Sequence, residues 1–298
     1  MLWLLFFAAG WGVVEAGFGA RLTQPYNLMQ IVWSRYAVHL LLMLAIWGFW
    51  QPSRLWKTSR PVFQLARSML MLVMPLSFAL AFWRGNPPSH IWTLFWLSPL
   101  MIVVLSWWML RETVRPMEFL IGVPALAGCA LLEGFSGLPS RSGVLLSLIM
   151  AGSFALYVVM TRSLRDQSMH ANLFYTGLGV FLALTPFMPG VWITPTLHDL
   201  VMLAGIGTVG FVVLLALDRA AAAAPLSLIA PALFLQPVSI VLVNRLSGDA
   251  AISGRAIAGS LLIATVILAA WFRSAAGTYS EGGVGHRRAP QSAGELIE

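Results

Sequence analysis

Apolar residues run along this chain in ten blocks, near 2–20, 28–49, 62–83, 91–110, 117–134, 143–161, 171–188, 200–217, 225–244 and 256–272. Short polar connections separate them. Each block is close to the roughly 20 residues that a helix needs to cross a bilayer core. Strands of a membrane barrel alternate apolar and polar positions over about ten residues, whereas these blocks are longer and uniformly apolar. Backbone polar groups in lipid must be satisfied within the segment itself, which leaves helices. The pattern predicts an all-α integral membrane protein of ten transmembrane helices.

The first five blocks look like a faded copy of the last five. Around the fourth the chain reads Leu94-Phe95-Trp96-Leu97-Ser98-Pro99, and around the ninth Ala232-Leu233-Phe234-Leu235-Gln236-Pro237. Pro99 and Pro237 lie 138 residues apart, close to half of the 298. An odd number of spans per half turns the second half upside down relative to the first. The expected organisation is two inverted-topology five-helix repeats, 1–134 and 143–274, followed by a polar, Gly-rich tail, 277–298, expected to be disordered and cytoplasmic. Inverted repeats with interrupted helices at matching places are the pattern of a secondary transporter, whose site lies where the repeats meet. Pro99 and Pro237 are the predicted helix breaks. Each lacks a backbone donor and frees a carbonyl one turn earlier, and such a carbonyl needs a neighbour, water or a ligand. The expectation is that both breaks face one central cavity, with Trp96, Ser98 and Gln236 within reach of substrate.

Composition agrees with the spans. Hydrophobic residues make up 59% and charged residues 10%, against roughly a quarter charged in a soluble domain. The formal charge of +7 then points to basic loops held at an anionic membrane face, not to nucleic acid. With the N-terminus inside, the inner side holds Arg54, Lys57, Arg60, Arg67, Arg111, Arg115, Arg162, Arg165, Arg219, Arg273, Arg287 and Arg288. The outer side holds Arg21, Arg84, Arg141, Arg245 and Arg255. This split of twelve to five, with Arg35 inside a span, favours both termini in the cytoplasm. No Lys or Arg precedes the run Leu2–Ala9, so it reads as a first span and not as a secretory signal. Cys129 is the single cysteine, inside a span, and is expected to be a small packing residue. Glycines in the first and eighth spans, Gly10, Gly12, Gly205, Gly207 and Gly210 among them, are expected to let helices approach closely.

Chemistry is sparse. No His/Cys/carboxylate spacing suits a metal, no Gly-rich loop with Lys suits a phosphate, and no cofactor or enzyme activity is expected. Ionisable groups inside spans are costly and mark function by default. Glu15 and Arg35 sit at similar depth, on the order of 8–10 Å below the outer surface at about 1.5 Å per residue. His39 follows Arg35 by one turn on the same face. The three form either a helix-fixing ion pair capped by a histidine, or a substrate path or proton relay. Arg67 is expected to snorkel to headgroups or to serve an inner gate. Asp218–Arg219 and Arg111–Glu112 are expected to be ion pairs in loops. Trp33, Tyr36, Trp92, Trp96, Tyr157 and Tyr175 offer stacking faces within spans, and Ser98, Ser153, Asn172, Gln236 and Asn244 offer hydrogen bonds; these are the candidate substrate contacts.

Several short segments carry a family resemblance. They are Gln30-Ile31-Val32-Trp33-Ser34-Arg35-Tyr36 with His39-Leu40-Leu41, Arg67-Ser68, Leu97-Ser98-Pro99, Arg111-Glu112, Phe174-Tyr175-Thr176, Thr194-Pro195-Thr196, Ala224-Pro225 and Gln236-Pro237. In this order and spacing the chain resembles the drug/metabolite transporter superfamily, its EamA-type ten-helix members, and among them the riboflavin-transporter branch. The resemblance implies a bacterial inner-membrane carrier working by alternating access on a small polar or planar metabolite, with riboflavin-like uptake as the branch-level substrate. Export of amino acids or drugs is the alternative, and a membrane-embedded enzyme or a non-transporting accessory subunit is the alternative class. The implied partners are a small-molecule substrate, the lipid bilayer, and a proton or an exchanged substrate, in a monomer or homodimer.

Overall fold

A computed structural model describes residues 2–114, 116–135, 137, 139–248 and 253–284. The described chain is helical throughout, in ten consecutive rods: α1 (Leu2–Gly19), α2 (Leu28–Gly48), α3 (Pro61–Trp83), α4 (Pro88–Leu110), α5 (Pro116–Glu133), α6 (Arg141–Ser163), α7 (Met169–Val191), α8 (Leu197–Ala223), α9 (Leu226–Leu246) and α10 (Gly254–Val284). Among the described residues nine of these are long and apolar enough to cross a membrane. The predicted fifth span falls on α5, whose apolar part, Leu120–Glu133, is shorter. The polar lead around Glu118 takes up its first turn. The expected tail starts inside α10, which is helical to Val284, and the rest of it lies outside the described residues. Arg115, Arg287 and Arg288, counted above for orientation, also lie outside them.

Local sequence sets the helix ends. Proline opens α3, α4 and α5, where its missing N–H costs nothing. Asn27, Ser140 and Thr196 cap α2, α6 and α8 by accepting from the backbone N–H of Met29, Gly143 and Asp199. Two rods are broken in their middle. α4 is interrupted at Trp96–Leu97, just before Pro99, and α9 runs as a tight 3₁₀ segment over Ala230–Phe234, just before Pro237. The Pro237 break is satisfied within the protein. Pro237 cannot donate to the Leu233 carbonyl, and Gln236 Nε2 donates to it instead at 3.0 Å.

Loops alternate between the two ends of the bundle. At the N-terminal end, Thr58 donates to Gln167 at 3.1 Å. At the other, here the distal end, Tyr26 donates to Asp199 at 2.7 Å, Gln30 exchanges hydrogen bonds with the Ile193 backbone, and Ser140 donates to Asn86. The hydrogen bond to Asp199 holds the Tyr26 phenol above its ordinary pKa.

Inside the bundle α1 packs on α8 and α9, and α6 packs on α3 and α4. α2 packs on α7 and α8, α7 also packs on α3, and α5 lies along α10. Glycines permit the closest crossings. A side chain at Gly12 would strike the Ser239 backbone of α9, and one at Gly259 would strike the Gly128 carbonyl of α5. The outside is apolar, with Leu65, Trp83, Trp107, Trp108, Leu246 and Phe272 exposed, as a lipid-facing surface requires. The chain is a multi-pass helical membrane protein.

Candidate functional site: a distal cavity above a polar closure

A cavity of about 360 Å³ runs from exposed Thr23 and Pro88 at the distal end to buried Trp11, Tyr36, Met71 and Met150 in the middle of the bundle. Three helical stripes build most of its wall. α1 contributes Trp11, Val14 and Glu15; α2 contributes Leu28, Ile31, Val32, Arg35 and Tyr36; α3 contributes Met71, Met74, Pro75 and Phe78. These spacings of three, four and seven place each set on one helix face. Trp92 of α4, Met150 of α6 and Ile206 of α8 complete it. Glu15 lies in a π-helical segment, Val13–Gly19, a local widening that recurs at functional sites.

Glu15 and Arg35 both face the cavity, within each other's electrostatic reach. Among the described residues no hydrogen bond or ion pair joins them, so the expected closed pair is not formed. Arg35 is held from behind. Its guanidinium carbon stands 5.7 Å from the Tyr36 ring centre, and α8 leaves it room only because residue 210 is glycine: a Cβ there would lie 2.5 Å from Arg35 Nε. Arg35 Nη2 and Trp11 Nε1 are buried donors without a partner.

The same stripe of α3 continues toward the N-terminal end with Gln64 and Arg67, and there the bundle is closed. Arg67 is 1% exposed. It donates to Thr161 Oγ1 of α6 at 2.9 Å, to Gln64 Oε1 at 2.9 Å, and to the Asn172 carbonyl and Thr176 Oγ1 of α7 at 2.6 and 2.9 Å. Its guanidinium also lies 5.1 Å from the Tyr157 ring centre. Gln64 Nε2 donates to Asn172 Oδ1, and Asn172 Nδ2 donates to Asp218 Oδ1 of α8. Four helices thus share one buried polar cluster. Nearer that end, Arg162 pairs with Glu112 at 3.1 Å and donates to the Ala221 and Ala222 carbonyls. Glu112 accepts from the Leu226 N–H at the start of α9.

Several expectations are corrected. Arg67 does not snorkel; its partners satisfy it inside. Glu112 pairs with Arg162, not Arg111. Asp218 is buried and bonded to Asn172, because the alanine run carries α8 to Ala223 and takes Asp218 into the helix. His39 does not line the cavity. Its Nε2 lies 3.1 Å from the Leu173 carbonyl and must carry the hydrogen, since a carbonyl only accepts, and its ring packs edge-on against Phe211.

Trp96, Ser98 and Gln236, expected beside the helix breaks to reach substrate, do not line this cavity. Trp96 Nε1 donates to Glu133 Oε1 at 3.1 Å, Gln236 caps its own helix break, and Ser98 is buried with its hydroxyl unpartnered. Trp96 instead backs the wall by stacking on Trp92. Glu133 is a second acid against the interior, alongside Glu15. Trp33 bonds Thr185 and stacks on Phe181; Ser153 bonds the Met150 carbonyl; Tyr175 bonds the Trp56 carbonyl. Of the predicted contacts, Glu15, Arg35, Tyr36 and Trp92 reach the cavity, and Tyr157 and Asn172 belong to the closure. Trp11, Met71, Met74, Phe78, Gln64 and Thr161 were missed. The 64, 67, 71, 74, 78 spacing on α3 was the available signal.

No family model matches the chain. The S-adenosylmethionine uptake transporter of Rickettsia bellii (strain RML369-C) is 23% identical over 187 residues, 61% of this chain and 62% of that protein. The match therefore spans about three-fifths of that relative's length. A solved crystal structure superposes with a TM-score of 0.75 at 19% identity, covering 89% of this chain and 94% of that one. The fold is shared with it.

Proposed function

We propose that this chain is a secondary transporter of a small metabolite that works by alternating access, seen in the state open at its distal end. One observation carries the reading. A cavity reaches the middle of the bundle from one end, while a buried arginine cluster ties four helices together at the other. Those are the two requirements of one state in an alternating cycle. Two inverted repeats, 1–134 and 143–274, make the opposite state accessible by the same packing. What supports the repeats is the pairing of contacts: α1 on α8 and α9 has its counterpart in α6 on α3 and α4, and α2 on α8 in α7 on α3. The matched breaks before Pro99 and Pro237 fit the same scheme. The bias of basic residues favours a cytoplasmic N-terminal end; with that orientation in a bacterial inner membrane the distal cavity opens outward, as uptake requires. Membership of the EamA-type drug/metabolite transporters is part of the proposal.

The similarity to an S-adenosylmethionine uptake transporter makes that compound the first substrate to test, and it argues for a carrier over an enzyme or an accessory subunit. Riboflavin is the second reading. The aromatic wall of Trp11, Tyr36, Phe78 and Trp92 suits its ring system but leaves Glu15 and Arg35 without charged partners. The test is uptake of radiolabelled S-adenosylmethionine, and separately of riboflavin, by purified protein in liposomes. Saturable uptake with counterflow of either supports transport. Liposomes that show neither with these compounds or with a broader metabolite mixture overturn it.

A further inference from the structure

At the N-terminal end lies a cationic cluster that neither the cavity nor the Arg67 closure uses. We infer that Arg54, His170 and Arg219 form a binding site for the phosphate of an anionic phospholipid headgroup, and that a lipid held there clamps the N-terminal closure shut. The binding stands without the transport reading; the clamp rests on it, because it acts on the closed end of the proposed cycle.

Three elements bring the cluster together. Arg54 sits on the short helix Pro52–Trp56 between α2 and α3, His170 in the first turn of α7, and Arg219 near the end of α8. The short helix packs on α7. There Tyr175 donates to the Trp56 carbonyl at 3.2 Å, and Gln167 accepts from Thr58 and the Ser59 N–H. Asn172 Nδ2 donates to Asp218 Oδ1 at 3.1 Å, which fixes α7 to the residue before Arg219. Both guanidinium groups act electrostatically on His170. Trp47 braces the His170 ring edge-on at 4.8 Å, and Ser168 Oγ lies 3.2 Å from its Nδ1, leaving Nε2 for a ligand. Arg54 and Arg219 are exposed and His170 is half-buried.

The cluster lacks a counter-charge. Among the described residues neither Arg54 nor Arg219 makes a hydrogen bond or an ion pair. Three acids described at this end are committed elsewhere. Glu112 is held by Arg162 and the Leu226 N–H, and Asp166 by its neighbour Arg165 at 4.0 Å. Asp218 feels Arg219 but is buried and bonded to Asn172. Like charges held together repel, and an anion between them turns the repulsion into attraction. Arginines favour a phosphate, which accepts several charge-assisted hydrogen bonds at once. Phe49, Trp50 and Trp56 are exposed around the same connection, and aromatic residues of this kind sit at headgroup level. The phosphate at that level is a lipid's, and basic pockets between helix ends take acidic headgroups. A lipid here bridges the short helix, α7 and α8. It therefore holds together two of the rods that Asn172 ties in the closure.

The test titrates the purified, delipidated chain with phosphatidylglycerol and with phosphatidylcholine in one detergent, following melting temperature and lipid retention in native mass spectrometry. Phosphatidylglycerol is expected to stabilise more and to be retained. Each arginine removed is expected to weaken its binding about fivefold. Arg54→Gln/Arg219→Gln should thus lose most of the preference, whereas Arg84→Gln at the distal end keeps it. The two single variants keep the comparison alive if the double variant fails to fold. Closure is read at Thr161→Cys in a Cys129→Ala background, with a membrane-impermeant thiol reagent on the N-terminal side of vesicles with and without phosphatidylglycerol. Labelling should be slower with that lipid, and the two arginine substitutions should abolish the difference. Equal response to both lipids, or an unchanged preference without the arginines, overturns the site. Inorganic phosphate that stabilises as well as phosphatidylglycerol overturns the lipid assignment in favour of a free anion. Lipid binding with no change at position 161 overturns the clamp. A chain that prefers phosphatidylglycerol yet transports nothing in liposomes counts against the transport reading alone. Saturable transport with no lipid preference sinks this inference and spares that reading.

Discussion

The guanidinium of Arg67 donates to the Asn172 carbonyl at 2.6 Å, tying α3 to α7 through a charge with almost no access to water. Arg67 reaches four acceptors on three elements of structure at once. A planar fork can do this; a single ammonium on a flexible stem cannot. Arg67→Leu is expected to lower stability markedly, because each buried polar partner left unmet costs about 1–3 kcal/mol. Arg67→Lys should restore less than half of the loss. Thermal unfolding of the three proteins in one detergent checks both statements, and full rescue by lysine would show that charge alone suffices.

Arg162 and Glu112 form the second tie, with side chains 10% and 11% exposed. Removing one member of a buried pair leaves the other uncompensated, at about 3–5 kcal/mol. Glu112→Gln and Arg162→Met are each expected to destabilise, and the double variant to be more stable than the two single losses added together. Strict additivity in denaturant or thermal unfolding would mean that the pair contributes no coupling.

Gly210 sets the position of Arg35. In Gly210→Ala the new methyl would sit 2.5 Å from Arg35 Nε, so the guanidinium must shift within the cavity. Overpacking of this kind costs about 1–3 kcal/mol. The expected result is a folded protein with substrate binding or uptake strongly reduced. A Gly210→Ala protein that transports normally would show that the position of Arg35 does not matter.

Gln236 caps the Leu233 carbonyl freed by Pro237. Gln236→Leu is expected to cost about 1–3 kcal/mol through that orphaned carbonyl, while the fraction that folds retains its substrate affinity. A loss of affinity with unchanged stability would restore Gln236 to the binding site.

The helical class, the positions of the rods and the two proline breaks were legible, because hydropathy and the missing proline donor act locally. Glu15 and Arg35 were legible because charge inside a span stands out against an apolar background, and Tyr36 because it is an aromatic one residue from Arg35. The partners of Arg67 were not. Hydrophobicity marks where a helix lies in the membrane but not which neighbour its polar face meets, and Thr161, Asn172 and Asp218 come from three other rods. Asp218 was misread because a run of alanines hides where a helix ends. The helix breaks misled in the opposite sense. A freed carbonyl signals a need without naming the group that meets it, and at Pro237 the neighbouring Gln236 side chain met it.

The central claim is that the cavity and the Arg67 cluster are two ends of one alternating path. It is tested most directly by thiol labelling of Met74→Cys and Thr161→Cys, made separately in a Cys129→Ala background, in sealed vesicles of known orientation with a membrane-impermeant reagent. Position 74 should react from the distal side while position 161 stays protected from both. A transported substrate under counterflow should slow the first reaction and expose position 161 from the N-terminal side. Reaction at position 74 from the N-terminal side alone, or at both positions with no reciprocal change under counterflow, would contradict it.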